Sequence, residues 1–357
     1  MGRRLWALAL AAVLCLSGCG WMDGSYVSVT PHQVGPGQTG DGNARTVSGY
    51  TELRSALVSL IDSGSTKGLF SLAEYPGEEA LADMEQAVAY AMGTYPIGAY
   101  AVEDIDFDFG TGLGALAMSV DITYRHSREA IERIQTVRGA AGAETAIADA
   151  LNECADVLVL QITGYREEDL VAAVAKYAWM NPDRVMEVPE AEVKLWPDRG
   201  STRVAELTFT YKTDRQTLRA MREEVQPVFS SAALYVSGQA GERVRFSQLH
   251  TFLTERFDYT FETSVTPAYS LLCQGTGDSQ AFARVYAAMC GRIGLEVLTV
   301  RGAREGEERW WNLVRIDGQW YHVDLLAPEG FRTLTDAEMT GYDWDRAAYP
   351  AAEGSGE

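Results

Sequence analysis

Metal-binding residues are scarce in this chain, whose 357 residues include four histidines and five cysteines. None of them falls in a C-x-x-C or H-x-x-x-H spacing, which excludes the usual structural zinc frameworks and leaves no metal or cofactor motif to be read. Positive charge is also short. Thirty Lys and Arg stand against 50 Asp and Glu, a net charge of −20, whereas proteins that track phosphates need clustered basic residues. Nucleic acid is therefore not an expected partner. The one early apolar run, Leu5 to Leu16, is shorter than the roughly 20 residues of a membrane-spanning helix. With 11 prolines, 34 glycines and 46% hydrophobic residues, the rest has the composition of folded globular domains.

Arg3-Arg4, the apolar run and Ser17-Gly18-Cys19 together have the charge, core length and small-residue ending of an export signal. Leu16-Ser17-Gly18-Cys19 resembles the bacterial lipobox. That resemblance implies a lipoprotein signal peptide over residues 1–18 and a lipidated Cys19 as the first mature residue. The expected location is the extracytoplasmic face of the cell membrane. An ordinary secretory signal cut nearby is the alternative. Residues 19–48 are rich in Gly, Thr, Pro and Gln, as in Val34-Gly35-Pro36-Gly37-Gln38, and read as a flexible linker. Loss of Arg3 and Arg4 would take the net charge from −20 to −22. Cys154, Cys273 and Cys290 remain, an odd number where disulfides are permitted, so at most one bond can form. Buried free thiols are the expectation.

The middle of the chain contains an internal echo. Val120-Asp121-Ile122-Thr123-Tyr124, followed by a helical pattern over 127–137, recurs as Leu207-Thr208-Phe209-Thr210-Tyr211, followed by one over 214–224. Upstream, Ala87 to Tyr90 before Tyr95-Pro96 is matched by Ala173 to Lys176 before Asn181-Pro182. Two tandem repeated α+β units are expected, over residues 49–140 and 141–236. Each reads as a short strand (69–73; 157–162), an amphipathic helix, a two-stranded hairpin and a closing helix. Glu103-Asp104-Ile105-Asp106-Phe107-Asp108-Phe109-Gly110 alternates carboxylates in a way that suits calcium. A twelve-residue calcium loop, however, needs Gly at its sixth position, and a strand with Ile105, Phe107 and Phe109 turned inward is the simpler reading. Residues 50–235 contain no catalytic constellation.

The last 120 residues carry more. Val244, Leu249, Phe252 and Leu253 lie at helical spacing, and Gly275-Thr276-Gly277-Asp278-Ser279 leads into a helix with Phe282, Val285, Met289 and Ile293 on one face. A strand over 295–300 follows. Strands over 311–316 and 319–325 then flank Asp317-Gly318, a strong two-residue hairpin signal. In that hairpin Ile316 pairs with Gln319, which sets Trp311 opposite Asp324 and Arg309 one diagonal step from Asp324 on the same face.

This order, with Gly275 to Ala283, Trp311-Asn312-Leu313-Val314 and Trp320-Tyr321-His322-Val323-Asp324 as its clearest parts, resembles the transglutaminase-like domain of the papain-like cysteine protease superfamily. The domain is expected over 237–345, followed by a flexible tail over 346–357. The resemblance implies a papain-like domain here, and with the two repeated units read from the internal echo the expected fold class is α+β throughout. It also implies a Cys, a His and an Asp at positions that here hold Ser279, Arg309 and Asp324. Arginine cannot act as a general base, and serine depends on a base more than cysteine does. Arg309 and Asp324 are instead expected to form a bidentate ion pair, and Ser279 to cap its helix. His322 is a secondary candidate base, Cys273 a remote alternative nucleophile, and Trp310, Trp311, Asn312 and Trp320 candidate groove residues.

The expected function is an exported, lipid-anchored bacterial surface protein whose transglutaminase-like domain has lost catalysis. Its expected partners are a peptide, protein or cell-wall ligand, and the membrane through Cys19. An active amide hydrolase or acyl transferase using Ser279 is the alternative, and a purely architectural surface protein a third reading.

Overall fold

The computed structural model describes residues 44–76, 78–112 and 115–354. The export signal, Cys19 and nearly all of the linker lie outside them. No described helix is long and apolar enough to cross a membrane.

The first unit runs β1 (Arg45–Thr46), α1 (Tyr50–Asp62), β2 (Lys67–Ser71), α2 (Ala80–Gly93), α3 (Pro96–Ala101), β3 (Val102–Gly112), β4 (Ala115–Tyr124) and α4 (Arg128–Glu132). Leu53, Ala56, Leu57 and Ile61 are spaced to share one side of α1, and Met84, Ala87 and Ala91 do the same on α2. Both helices bury these residues against Phe70, Met118 and Val120 of the sheet. The strand order is β1-β2-β4-β3, parallel between β1 and β2 and antiparallel elsewhere.

The second unit runs β5 (Gln135–Thr136), α5 (Gly139–Asn152), β6 (Val157–Thr163), α6 (Glu167–Met180), β7 (Glu190–Trp196) and β8 (Thr202–Thr210). Its order, β5-β6-β8-β7, and its pairing senses match those of the first sheet. Lys67↔Asp121 and Val157↔Thr208 occupy corresponding places. The units meet where Tyr100 reaches from α3 to donate to Glu206 Oε2 at 2.9 Å, its ring edge-on to Trp196.

Several boundaries differ from the sequence reading. Helix α4 stops at Glu132, and Gln135–Thr136 already pair with β6, so the unit border falls before residue 135 instead of after 140. Strand β1 begins inside the stretch read as linker. The acidic run is strand β3, with Ile105 buried but Phe109 39% exposed. Phe109 rests edge-on against Phe107.

The C-terminal part contains α7 (Arg215–Tyr235), α8 (Glu242–Thr254), β9 (Asp258–Tyr259), a helical turn (Pro267–Tyr269) continuing as a π-helix (Ser270–Gln274), β10 (Thr276–Gly277), α9 (Ser279–Arg292), β11 (Val297–Arg304), β12 (Glu307–Ile316), β13 (Gln319–Val323) and β14 (Tyr342–Trp344). Its sheet has the order β13-β12-β11-β14, and β9 pairs with β10 in parallel. Asp317 and Gly318 have φ of 49° and 84°, which matches the right-handed twist of the strands they join. The predicted register holds from Ile316↔Gln319 to Asn312↔Val323.

Helix α7 belongs to this core. Its Leu218, Val225, Phe229 and Ala232 pack with Phe246 and Leu249 of α8 and Phe282 and Val285 of α9, and with Cys154 and Met186 of the second unit. Arg215, Arg219 and Arg222 tie its N-terminal half to Asp156, Glu153 and Asn152, so it bridges the second unit and the C-terminal core. Burying one such Phe is worth about 2–3 kcal/mol. Val244 is 50% exposed, and Phe246 takes its expected place in the core. The tail is packed up to Ala352, which is 1% exposed and accepts from Asp336 N at 2.8 Å; the expected flexible segment from 346 is anchored there. Cys154 and Cys290 are buried free thiols, whereas Cys273 is exposed, contrary to its expected burial.

Candidate functional site

The loop before α9 is held tightly. A Cβ on Gly277 would lie 2.9 Å from the Ala281 methyl and 3.1 Å from Leu271, so no larger residue fits without displacement. Asp278, not Ser279, caps α9. Its Oδ1 accepts from Ala281 N at 2.8 Å and its Oδ2 from Thr263 Oγ1 at 2.9 Å. Ser279 occupies the first helical position, is 7% exposed, and its Oγ accepts from Trp310 N at 3.2 Å. Among the described residues no histidine or carboxylate is hydrogen-bonded to that hydroxyl.

Arg309 meets Asp324 as a fork: Nε lies 3.0 Å from Oδ2 and Nη2 2.9 Å from Oδ1. The two side chains are 13% and 2% exposed. Asp324 also accepts from Tyr342 Oη at 2.8 Å and from Leu326 N at 3.0 Å, and Arg304 Nη1 stands 3.8 Å away. Four hydrogen bonds fill the carboxylate's acceptor sites. Burial and the adjacent Asp324 raise the Tyr342 phenol above its ordinary value. The structure thus brings together Ser279 and the strand that bears Arg309, because Trp310 follows Arg309 on β12.

His322 is elsewhere. It is fully buried, and its Nδ1 accepts from Trp311 Nε1 at 2.9 Å while Nε2 lies 2.8 Å from Asp336 Oδ1. An indole N–H only donates, so Nδ1 is bare and the single proton of the neutral ring sits on Nε2, facing Asp336. Burial lowers the His322 pKa despite that carboxylate. Trp311 and Leu313 face the layer containing Met339 and Ala352, whereas Val314 and Ile316 face α9. His322 shares the Trp311 side and so lies across the sheet from Ser279. It is not placed to take the serine's proton. Cys273 is no substitute nucleophile in waiting either, because nearby burial and Glu224 raise its pKa.

The groove assignments divide sharply. Trp311 is fully buried, edge-on to Tyr342 and Trp344. Asn312 is fully buried and donates to Ala283 O at 2.9 Å, and Trp320 packs onto the Trp311 cluster. These three are structural. Trp310 alone lines a cleft, of about 460 Å³, together with Ser279, Tyr259, Phe261 and Trp179.

Trp179 was not singled out by the sequence. It comes from the C-terminal end of α6 in the second unit, and its ring stacks on Trp310 with centroids 5.1 Å apart and planes 10° from parallel. Arg284, 3% exposed on α9, holds it there. The guanidinium donates to Ala178 O at 2.8 Å and Trp179 O at 3.2 Å and lies 4.4 Å over the Trp179 ring. These carbonyls are the otherwise unpaired acceptors at the end of a helix. Burial lowers the Arg284 pKa to about 10, so the group stays charged at neutral pH. At helical spacing Arg284 falls on the side of α9 opposite Phe282, Met289 and Ile293, so no local pattern signals its burial.

Residues 231–325 match the family described as the transglutaminase-like superfamily. This segment is a transglutaminase-like domain. Ser279, Trp310 and Asp324 all lie inside the matched stretch, whereas Trp179 and Tyr342 lie outside it. No curated protein matches the chain. Among solved structures, a TGase overlaps at 12% identity over 55% of this chain and 55% of its own, with a TM-score of 0.28. A candidate cysteine protease from Cytophaga hutchinsonii overlaps at 10% identity over 43% of this chain and 70% of its own, with a TM-score of 0.26. A candidate protease from Parabacteroides distasonis gives 9%, 60% and 47%, with a TM-score of 0.24. This chain spans about half the length of the TGase structure.

Proposed function

We propose that the transglutaminase-like domain is catalytically silent and serves as a binding module on an exported, lipid-anchored bacterial surface protein. Its ligand is peptide or cell-wall material held in the cleft beside Ser279. The observation that carries this reading is the Arg309–Asp324 fork. By resemblance, Arg309 stands where the family places its histidine base and Ser279 where it places its cysteine. A guanidinium holds no lone pair for a proton, and Asp324 is already filled by its four donors. The Ser279 hydroxyl accepts from Trp310 N and, among the described residues, has no histidine or carboxylate bonded to it that could deprotonate it. The lipobox-like Leu16 to Cys19 supports the anchor, and the Gly- and Thr-rich stretch after it supports a tether.

The test is turnover. The purified chain and a Ser279→Ala copy are each incubated with a mixture of peptides and cell-wall fragments, with and without a primary amine, and read by mass spectrometry. The reading expects no cleaved or amine-linked product from either. Products that vanish in the Ser279→Ala copy would overturn it. For the anchor, intact-mass analysis of the membrane-extracted protein should show an acylated N-terminal Cys19, and an unmodified protein in the culture medium would refute it.

A further inference from the structure

The cleft has an unusual lining. Phe261 is 81% exposed and Tyr259 40% exposed, yet the loop that carries them is fixed. Strand β9 pairs with β10, Thr260 N donates to Gly277 O at 2.9 Å, and Thr263 is tied to Asp278. The two rings stand edge to face, 5.0 Å apart. Across from them, the Trp179–Trp310 stack forms a wall that Arg284 holds on one side and Arg301 on the other, its guanidinium 5.5 Å from the Trp310 centroid. Arg301 is in turn held by Glu308 at 2.8 Å. Gln280 and Glu307 complete the lining with an amide and a carboxylate.

We propose that this cleft binds a neutral oligosaccharide, with Phe261 and Tyr259 as the platform for a sugar ring. The Trp179 contributed by the second unit fixes the wall opposite. This deepens the binding-module reading and rests on it. A pyranose presents an apolar C–H face bordered by hydroxyls. Rigid exposed rings suit the face, and planar amide and carboxylate groups suit the border, since one such group can accept and a neighbouring one donate. The carboxylates Asp278, Glu307 and Glu308 outnumber the one lining arginine, which disfavours a polyanion. An extended peptide is favoured less, because it needs a run of free main-chain groups. The strand edge that faces the cleft is interrupted at Trp310, whose N–H is already held by Ser279 Oγ.

The experiment is calorimetric titration of the full chain with a β-1,4-linked N-acetylglucosamine hexamer, maltohexaose and a capped hexapeptide as probes. Phe261→Ala and Trp179→Ala copies run beside it. We expect at least one hexasaccharide to bind and to lose affinity about tenfold in both variants, because stacking contacts of this kind dominate such sites. Phe261 is exposed, so its variant should keep the thermal midpoint of the parent. Binding of neither sugar, or sugar binding indifferent to Phe261→Ala, would overturn the proposal. Capture of the hexapeptide alone, lost in Phe261→Ala, would overturn it in favour of a peptide groove. Turnover does not enter these readouts, so a Ser279-dependent product would refute catalytic silence and leave the ligand class to the titrations.

Discussion

The guanidinium of Arg309 and the carboxylate of Asp324 face each other in a bidentate pair whose carboxylate is 2% exposed. A pair this buried gives little net stability compared with an apolar replacement of both partners, but losing one partner strands the other.

Arg309→Ala should therefore destabilise the folded chain, by at most about 3–5 kcal/mol, because Asp324 then keeps only Tyr342, Leu326 N and the more distant Arg304 at 3.8 Å. Urea unfolding followed by tryptophan fluorescence measures it. A companion Arg309→Met/Asp324→Leu variant should recover most of the loss, and failure to recover would mean that the carboxylate is not the stranded group.

Acid should weaken the fold through its histidines. Burial lowers the pKa of His126, His250 and His322, so each takes up a proton more readily when unfolded. Stability is then full above the unfolded value of about 6.5 and falls as pH drops through it, levelling below the depressed folded values. His322→Asn should flatten part of this acid limb, since the amide can accept from Trp311 and donate to Asp336 without titrating. An unchanged pH profile in that variant would show that His322 does not contribute.

Arg284→Met should cost about 2–3 kcal/mol by leaving the Ala178 and Trp179 carbonyls without their charged donor. It should also change the fluorescence of the Trp179–Trp310 stack and weaken any ligand of the cleft. Loss of stability with unaltered ligand affinity would separate the strut from the site.

Of the three described thiols, Cys273 should react with a disulfide reagent in the native protein, faster as pH rises toward its elevated pKa. Cys154 and Cys290 should react only after unfolding. Peptide mapping of the modified protein distinguishes them, and early labelling of Cys290 would contradict its burial.

Much of the C-terminal hairpin was legible because its determinants are local. Asp317-Gly318 permits the positive φ values that the turn demands, and the period of two then places Arg309 beside Asp324 without any knowledge of the rest. The same period also implies that Trp310 and Trp311 cannot share a groove, since adjacent strand residues point to opposite faces. Which of the two faces the cleft depends on the layer around Met339 and Ala352, whose path over the sheet no local pattern reveals. Helix α7 shows the same limit: its apolar face is visible in the sequence, but not the C-terminal core that it joins besides the second unit.

By itself, the sequence determined the acidic charge, several of the helices, the hairpins, the echo between residues 120–124 and 207–211 and the residue types at the Ser279, Arg309 and Asp324 positions. These follow from composition, turn chemistry and periodicity, which act over a few residues. Only the tertiary structure decided that Asp278 takes the cap, that His322 is locked between Trp311 and Asp336, and that Trp179 reaches the cleft. The Asp278 cap itself spans three residues but is steadied by Thr263, 15 residues away, whereas the His322 and Trp179 placements depend on contacts 11, 14 and more than 100 residues apart. Their geometry is set by how packed layers close over one another.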